Sequence, residues 1–330
     1  MKVTEEEIRP RQIFDDYLAL ARRDAAAFFG EGPRTPIACP ACAGMDAQPR
    51  FVKLGFTYVQ CPGCRTLFVS PRPDARAFSR FYREGESVRF WTTDFYRKTE
   101  EARREKLIRP KARRLVDLVA GLRPDWAPAA LIDVGAGYGI FAEEMRALRP
   151  DWRLMAIEPG PSLAEACRRR GLEVIEAFLE DLDSAALPPG PRLVTCFELL
   201  EHVHDPLAFC RALTRLAAGG LVVLTTLSGT GFDIQVLGEA SKAVHPPHHV
   251  NFFNPDSITR LFTRAGLQPV SVETPGLLDV DIVARQLESV RDGFLRDLVG
   301  GADDAKAAFQ SFLANNRLSS HMWAVGAGSL

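Results

Sequence analysis

The sequence predicts an α/β protein that combines a doubly wound parallel sheet with a small cysteine-rich module and helical segments at both ends. Two observations lead to this prediction. From about residue 130, short apolar segments alternate with helical stretches, a pattern typical of parallel strands whose connections cover both faces of a sheet. Nearer the start, four of the seven cysteines form two Cys-x-x-Cys pairs.

The composition is that of an ordinary globular protein, with 46% hydrophobic and 25% charged residues in a chain of 330. The 41 basic and 42 acidic residues give a net charge of −1, which argues against a nucleic-acid partner. The start, MKVTEEEIRP, lacks the features of a secretory signal, and no apolar run is long enough to span a bilayer. We therefore expect a cytoplasmic protein without a membrane segment.

Changes in pattern along the chain divide it into five segments. Apolar residues at helical spacing precede Gly30, and the arginine- and glutamate-rich stretch EARREKLIRPKARR predicts further helix. After about residue 276 the strand pattern stops, and two helical stretches lead into the tail SSHMWAVGAGSL. The expected segments are an N-terminal helix (1–34), the cysteine module (35–73), a helical linker (74–124), the sheet domain (125–275) and a C-terminal helical segment (276–330).

The cysteine module predicts a structural zinc site. Its two pairs, with 18 residues between them, have the spacing of a zinc ribbon with four cysteine ligands. Four thiolates close the tetrahedral shell of the ion, which leaves no position for catalysis. A redox motif would need a strand and helix that these pairs lack, and disulfides would conflict with a cytoplasmic location. The expected zinc ligands are Cys39, Cys42, Cys61 and Cys64.

A glycine loop opens the sheet domain, in the sequence LIDVGAGYGIF. Glycines between a strand and a helix let the backbone turn sharply and approach a ligand. The third glycine of a dinucleotide fingerprint is replaced by Ile140, so the NAD pattern is not met. Asp133 beside the loop would repel a pyrophosphate but suits a ligand that carries an ammonium and a sulfonium. The loop therefore favours S-adenosylmethionine.

Glu158 fits a ligand that contains a ribose, and both S-adenosylmethionine and a dinucleotide would use it. It lies at the end of the next predicted strand, RLMAIE, where an acidic side chain can accept hydrogen bonds from both ribose hydroxyls. The alternative is a glycine turn in an α/β protein that binds no ligand.

With these motifs in this order, residues 125–275 resemble the class I methyltransferases, which implies a Rossmann-like fold. The resemblance places three residues of the loop region at the methionine end of the cofactor, one at the ribose and one at the adenine. A sixth residue would also contact the cofactor. Many relatives carry an acidic residue at the adenine position, so here stacking and backbone contacts would hold the base. These residues are Asp133, Gly135 and Gly137, then Glu158, Phe178 and Phe197.

The predicted fourth strand, RLVTCF, runs into the polar cluster ELLEHVHDP. Doubly wound sheets place their sites at the carboxyl ends of strands. Glu198, Glu201 and His202 are similar to the Glu-x-x-Glu-His arrangement of ubiquinone-type O-methyltransferases, some of which use it to hold a divalent ion. The same residue types can also relay protons or cap the following helix, and His202 as a structural histidine is the simpler alternative.

After the fifth predicted strand, the segment HPPHHVNFF carries His245, His248, His249 and Asn251. We expect this loop to border the acceptor pocket. An imidazole suits proton removal near neutral pH, and our first candidate for the base is His249, followed by His248. Glu201 and His202 are further catalytic candidates. Alternatively, these histidines pack under the loop and bond to backbone left free by the prolines.

The function predicted from these motifs is methyl transfer from S-adenosylmethionine to an oxygen or carbon atom of a small molecule. An N-terminal zinc ribbon before a methyltransferase domain resembles bacterial enzymes connected with sugar, polysaccharide or secondary-metabolite modification, which implies a sugar or sugar-nucleotide acceptor. One alternative is an RNA methyltransferase whose ribbon and EKLIRPKARR arginines contact RNA. Another is a binding protein with an idle fold. The oligomeric state is left open.

Overall fold

The computed structural model describes residues 3–182 and 187–328, and the chain begins with two helices. Helix α1 covers Glu5–Ile8, and helix α2 covers Arg11–Phe29, with Gly30 at its end. The buried face of α2 includes Phe14 and Tyr17, which pack against the helices that follow the cysteine module. Within the described residues, no helix is long and apolar enough to cross a membrane.

The cysteine module forms short antiparallel strands. Strands β2 and β3 make a hairpin whose two turn residues, Leu54 and Gly55, have φ angles of 49° and 78°. Positive φ at both positions is the geometry of a two-residue hairpin that matches the strand twist. The module contains β1 (Arg34–Thr35), β2 (Gln48–Lys53), β3 (Phe56–Gln60), β4 (Leu67–Val69) and β5 (Arg72–Pro73).

A long helical segment connects the module to the main sheet. Helix α3 (Ala75–Glu84) ends before Gly85, and one helical path then continues to Leu122 because every junction residue keeps right-handed helical angles. Two π-helical turns interrupt this path, a feature that occurs often at functional sites. Its parts are α4 (Glu86–Phe90), a π turn (Trp91–Phe95), α5 (Tyr96–Arg103), a second π turn (Arg104–Ile108) and α6 (Arg109–Leu122).

The five strands predicted from the apolar segments form a parallel sheet, and the doubly wound fold is confirmed. The strands run in the order β10-β9-β6-β7-β8, so the order reverses beside β6. A crevice at such a reversal is where these sheets bind ligands. The strands are β6 (Leu131–Val134), β7 (Leu154–Ile157), β8 (Glu173–Ile175), β9 (Leu193–Phe197) and β10 (Leu221–Leu227), with α7 (Ile140–Leu148), α8 (Pro161–Arg169) and α9 (Pro206–Ala217) between them.

The sheet extends beyond the five strands that the sequence pattern predicted. Strand β13 (His321–Gly328) lies antiparallel between β10 and β12 (Leu267–Glu273), which gives seven strands in all. The strand pattern therefore does not stop at residue 276. The tail HMWAVGAG escaped prediction because its small residues lack the bulky alternation of a strand. They are needed for packing: a Cβ on Gly326 would lie 3.0 Å from the Phe262 ring.

Helices surround the added strands. Residues 276–330, which the sequence analysis expected to be helical, contain three of these helices and also β13. The helices are α10 (Phe232–Leu237), α11 (Pro255–Ala265), α12 (Asp279–Ala284), α13 (Gly293–Gly300) and α14 (Asp303–Asn315).

The cysteine module and the main domain share structure. Strand β11 (Asn251–Phe252) follows the fifth parallel strand in sequence, yet it pairs with β4 and completes a four-stranded sheet in the order β11-β4-β3-β2. One hydrophobic core contains Cys61 and Cys64 of the module together with Leu261 and Phe262 of α11. The module is therefore packed into the domain.

Candidate active site

The glycine loop after β6 has the conformation that only glycine adopts easily. Gly135, Gly137 and Gly139 have φ angles of 72°, 56° and 74°. A Cβ at Gly135 would lie 2.7 Å from Leu199, and one at Gly139 would lie 2.6 Å from Leu172, so both are closely packed. A Cβ at Gly137 would have no described atom within 4 Å. The middle of the loop therefore faces space that a ligand can enter.

Glu158 lies directly against this loop. Its Oε2 accepts a hydrogen bond of 2.8 Å from the backbone N–H of Gly137, and its Oε1 accepts one of 2.9 Å from Gly160. The side chain is only 6% exposed, and burial raises the pKa of its carboxyl. Glu158 thus holds the loop in place and keeps further acceptor capacity on both oxygens.

Asp133 is a buried residue of β6, the strand that runs into the glycine loop. The sequence analysis expected its carboxylate beside the loop, and in the structure the side chain is only 4% exposed. Its Oδ1 accepts a 2.7 Å hydrogen bond from the Thr195 hydroxyl on the neighbouring strand β9. Burial raises the pKa of Asp133 to about 7, so a nearby positive charge would favour its ionised form.

Phe178 and Phe197, the two aromatic residues expected to contact the cofactor, have different surroundings. Phe178 is 53% exposed and follows β8, so its ring can accept a stacking partner. Phe197, at the end of β9, packs edge-on against Phe141 with ring centroids 4.7 Å apart. The ammonium of Lys111 lies 4.7 Å above the Phe197 ring. Phe197 is thus fixed beside the reversal point of the sheet.

Glu198 belongs to an ionic group that the sequence analysis missed. Its Oε1 accepts hydrogen bonds from the Thr225 hydroxyl at 2.6 Å, from His321 at 3.0 Å and from Lys111 at 3.3 Å. Despite burial, the charges of Lys111 and His321 hold the pKa of Glu198 well below its usual value. Neither partner was predictable from local spacing, because His321 starts β13 and Lys111 belongs to α6.

The side chains that could bind a divalent metal ion together differ from those expected. Glu198 is turned toward Lys111, and ligand atoms of Glu201, His202 and His249 lie within 4.8 Å of one another instead. Glu201 is 1% exposed and accepts a 2.7 Å hydrogen bond from the Thr226 hydroxyl. Burial and the nearby charge of Glu198 raise the pKa of Glu201 to about 8. One carboxylate and two imidazoles are suitable ligands for a divalent ion.

Four imidazoles, those of His202, His245, His248 and His249, form what we call the histidine cluster. The rings of His245 and His249 are 3.9 Å apart between centroids. Nδ1–H of His249 donates to the Ala243 carbonyl at 2.7 Å, so Nε2 carries the lone pair in the neutral ring. Burial lowers the pKa of all four rings, to about 4 for His202, so they are neutral near pH 7.

Helix α2 supports the cluster, which the sequence did not indicate. Nε2–H of His248 donates to the Ser87 hydroxyl at 2.9 Å, and that hydroxyl donates to Oδ2 of Asp24 at 2.5 Å. The Tyr17 hydroxyl donates to Nε2 of His245 at 3.1 Å. The buried N-terminal helix therefore fixes the tautomers of two of the four rings.

Asn251 is structural. Its amide donates to the Val203 carbonyl at 2.7 Å and accepts a 2.7 Å hydrogen bond from Arg72. Both polar atoms of the side chain are thereby occupied within the core.

The four cysteines of the module meet at one point. Their Sγ atoms lie within 4.8 Å of one another, with 3.4 Å between Cys39 and Cys64 and 3.6 Å between Cys42 and Cys61. Tetrahedral zinc with bonds near 2.3 Å needs sulfur atoms about 3.8 Å apart, whereas a disulfide needs about 2.05 Å. The donor set and its spacing therefore fit zinc.

The basic stretch between residues 104 and 114 is largely neutralised by carboxylates. Arg104 bonds to Glu143 at 2.7 Å and to Glu144 at 2.8 Å. Other partners in this stretch are Glu7 for Lys106, Glu144 for Arg109, Glu198 for Lys111 and Glu273 for Arg114. These side chains do not present the free positive surface that an RNA-binding patch requires.

Comparisons with known proteins identify relatives of this chain. The chain is 35% identical over 158 residues to the ubiquinone biosynthesis O-methyltransferase of Xanthomonas oryzae pv. oryzae, covering 44% of this chain and 65% of that protein. With the enzyme of the same name from Xanthomonas axonopodis pv. citri, the identity is 32% over 169 residues, covering 47% of this chain and 68% of that protein. The chain therefore spans about two thirds of the length of these relatives.

The fold also resembles a solved structure, that of the plantazolicin methyltransferase BpumL with a monoazolic desmethylPZN analog and SAH. The TM-score is 0.51 and the identity 11%, over 77% of this chain and 95% of that one. At this identity the likeness concerns the fold alone. A family model described as a methyltransferase domain matches residues 101–272, which is more than half of the chain. The protein therefore belongs to the methyltransferase-domain family.

Proposed function

We propose that this protein transfers the methyl group of S-adenosylmethionine to an oxygen or carbon atom of a small-molecule acceptor. The observation that supports this most directly is the glycine loop, whose open centre at Gly137 lies beside the carboxylate of Glu158. The names of the relatives, which are O-methyltransferases, favour an oxygen acceptor.

In this proposal, the residues around the loop bind and orient the cofactor. Glu158 accepts hydrogen bonds from the ribose hydroxyls with the lone pairs that Gly137 and Gly160 leave free. Phe178 offers its exposed face to the adenine. Asp133 and Phe197 border the methionine part, and the positive charge of the ligand favours ionised Asp133.

The cofactor supplies an electrophilic methyl group on a sulfonium, which leaves as a neutral thioether. The chain must hold the acceptor in line with that methyl and accept the proton that the acceptor loses. We assign this proton to Nε2 of His249, because Nδ1–H is held by the Ala243 carbonyl. His248 is the second candidate, and Glu201 and His202 are further candidates whose ligand atoms lie within 4.8 Å of that of His249.

A sugar or sugar nucleotide is our proposed acceptor class. It rests on the resemblance to ribbon-containing bacterial methyltransferases, and the paired state of the basic stretch disfavours RNA. We also propose that the four cysteines hold one structural zinc ion.

Calorimetric titration with S-adenosylmethionine tests the cofactor assignment. Glu158→Ala removes the acceptor of the loop and ribose hydrogen bonds, so we expect about tenfold or greater weakening. Asp133→Ala tests the electrostatic contribution in the same way. Glu176→Ala is a matched control, because Glu176 pairs with Arg168 away from the loop. Unchanged affinity in both Glu158→Ala and Asp133→Ala would contradict the assignment.

Glu201, His202 and His249 could alternatively hold a divalent ion, which the geometry also favours. Activity measured after chelation separates the two roles. Loss of turnover that added Mg²⁺ or Mn²⁺ restores would indicate a metal, and turnover unaffected by chelator would leave His249 as the base.

A further inference from the structure

The guanidinium of Arg103 has no role in the function proposed above. It lies against two aromatic rings, with Cζ at 5.9 Å from the Trp91 ring centroid and 5.3 Å from that of Tyr96. Its Nε and Nη1 are shielded from solvent, and neither has a hydrogen-bond partner among the residues that the structure describes. Shielded donors of a charged group are costly when unpaired. Such a group is suited to an acceptor from outside the chain.

The rings around Arg103 place it between the two halves of the proposed site. Tyr96 stacks on Tyr138 of the glycine loop, with centroids 5.0 Å apart and planes at 22°. Trp91 packs against Tyr17 at 4.8 Å, and the Tyr17 hydroxyl bonds to His245. Arg103 therefore lies between the glycine loop and the histidine cluster.

Among the described residues, few carboxylates are available to pair with Arg103. Arg9 also has a buried Nε without a partner in the described part of the chain. Burial lowers the pKa of Arg103, Tyr96 raises it through its charge and a side-chain hydrogen bond, and the charge of Arg9 lowers it. Glu198 attracts Arg103, but Oε1 of Glu198 is bound by Lys111, Thr225 and His321.

Arg104, the next residue of the same helical segment, is an arginine with a structural role. Arg104 is bound by Glu143 and Glu144 at 2.7 and 2.8 Å. Within the described residues, Arg103 has no such carboxylate partner, and its Nε and Nη1 are shielded from solvent.

We propose that Arg103 forms an oxyanion site that takes a carboxylate or phosphate group within the active site. A guanidinium can bind either anion through two parallel N–H donors. The anion can come from the carboxylate of the cofactor's methionine part or from an anionic group on the acceptor. This inference rests on the proposed function for its location.

Calorimetry with S-adenosylmethionine and its decarboxylated analogue tests the first source. If Arg103 binds the cofactor carboxylate, the wild-type protein prefers S-adenosylmethionine by about tenfold to a hundredfold. Arg103→Gln should then reduce this preference to about twofold or less, and Arg103→Lys should retain part of it. Arg149→Gln is the control, because Arg149 lies 4.1 Å from the Trp152 ring centroid but pairs with Asp151.

Thermal unfolding with and without inorganic phosphate tests the second source. A phosphate-dependent rise in midpoint that Arg103→Gln abolishes, with the cofactor preference unchanged, would indicate an anionic acceptor. The midpoint of ligand-free Arg103→Gln shows whether the variant is folded; if it is not, Arg103→Lys carries both tests.

The proposal is overturned if Arg103→Gln and Arg103→Lys, both folded, change neither the cofactor preference nor the phosphate response. Failure of the wild-type protein to bind S-adenosylmethionine at all would instead contradict the proposed function. The phosphate measurement still tests Arg103 in that case, so the two failures are distinguishable.

Discussion

Burial determines the protonation of the side chains at the carboxyl edge of the sheet. It raises the pKa of Asp133 to about 7 and contributes most to raising that of Glu201 to about 8, while it lowers the pKa of the clustered histidines. Near neutral pH the site therefore combines neutral imidazoles with carboxyl groups that are close to their own titration. Such perturbed groups in a crevice are typical of functional sites.

The first prediction at this scale concerns His249. We expect His249→Ala to lower turnover by about a hundredfold or more, because the variant lacks the Nε2 lone pair that accepts the proton. Cofactor affinity should stay unchanged, since the described side-chain contacts of His249 are with Ala243, Phe252 and other histidines and not with the glycine loop. His204→Ala is the matched control, because His204 contacts the Pro73 carbonyl outside the histidine cluster. Equal losses in the two variants would argue against His249 as the base.

The second prediction concerns acid stability. The folded pKa of His202 is about 4, below its ordinary 6.5, so its neutral form stabilises the fold above pH 6.5. This contribution is lost as the pH falls from 6.5 toward 4, and the other three clustered histidines act in the same direction. We expect the thermal midpoint to fall over this range, and to fall less in His202→Gln. An identical acid profile in that variant would contradict the account.

Asp133 and Glu201 act in the opposite direction. Their folded pKa values, about 7 and about 8, lie above the ordinary values of 3.8 and 4.5. Their protonated forms therefore stabilise the ligand-free fold at low pH, and that contribution decreases as the pH rises toward 8. A cationic ligand near Asp133 would offset part of the loss.

At the scale of elements, β13 links the sheet to the ionic group of the site. It pairs with β10 on one side and β12 on the other, and its first residue, His321, bonds to Glu198. The last strand of the chain thus contributes both to the core and to the carboxyl edge where the site lies.

The third prediction tests this strand. Ala324 is fully buried between β10 and β12, so Ala324→Asp places an uncompensated charge in the core. We expect a destabilisation of about 3–5 kcal/mol, measured by denaturant unfolding. Gln268→Asp, at an exposed position of β12, should change stability by less than about 0.5 kcal/mol. Similar stability of both variants would mean that β13 is dispensable.

At the scale of the whole molecule, the cysteine module and the methyltransferase domain form one packed unit. Strand β11 completes the sheet of the module, and Arg264 of α11 donates to the carbonyls of Pro40 and Ala41 at 2.9 and 3.0 Å. The loop of the histidine cluster lies directly before β11. Unfolding of the module should therefore also disturb the loop of the histidine cluster, on the proposed acceptor side of the site.

The fourth prediction concerns zinc. We expect one zinc ion per chain by elemental analysis, and loss of that ion in Cys61→Ser, with a lower thermal midpoint. Cys167→Ser should keep its zinc, because Cys167 lies in α8, away from the module. Chelation should lower the midpoint of the wild-type protein as well. A protein that folds equally well without metal would contradict a structural zinc site.

The sequence alone determined the features that depend on local spacing. The glycine loop, the two cysteine pairs and the five parallel strands are each encoded within a few neighbouring residues, because turn geometry, metal ligation and strand burial all constrain short segments. The methyltransferase family and the doubly wound fold could therefore be predicted.

Only the tertiary structure decided which distant side chains meet. Lys111 and His321 reach Glu198 because the start of α6 and the start of β13 both lie at the same edge of the sheet. His249, rather than Glu198, joins Glu201 and His202, and Asp24 of the first long helix anchors His248 through Ser87. Such contacts depend on how elements far apart in sequence pack against each other. The spacing of neighbouring residues does not specify that packing.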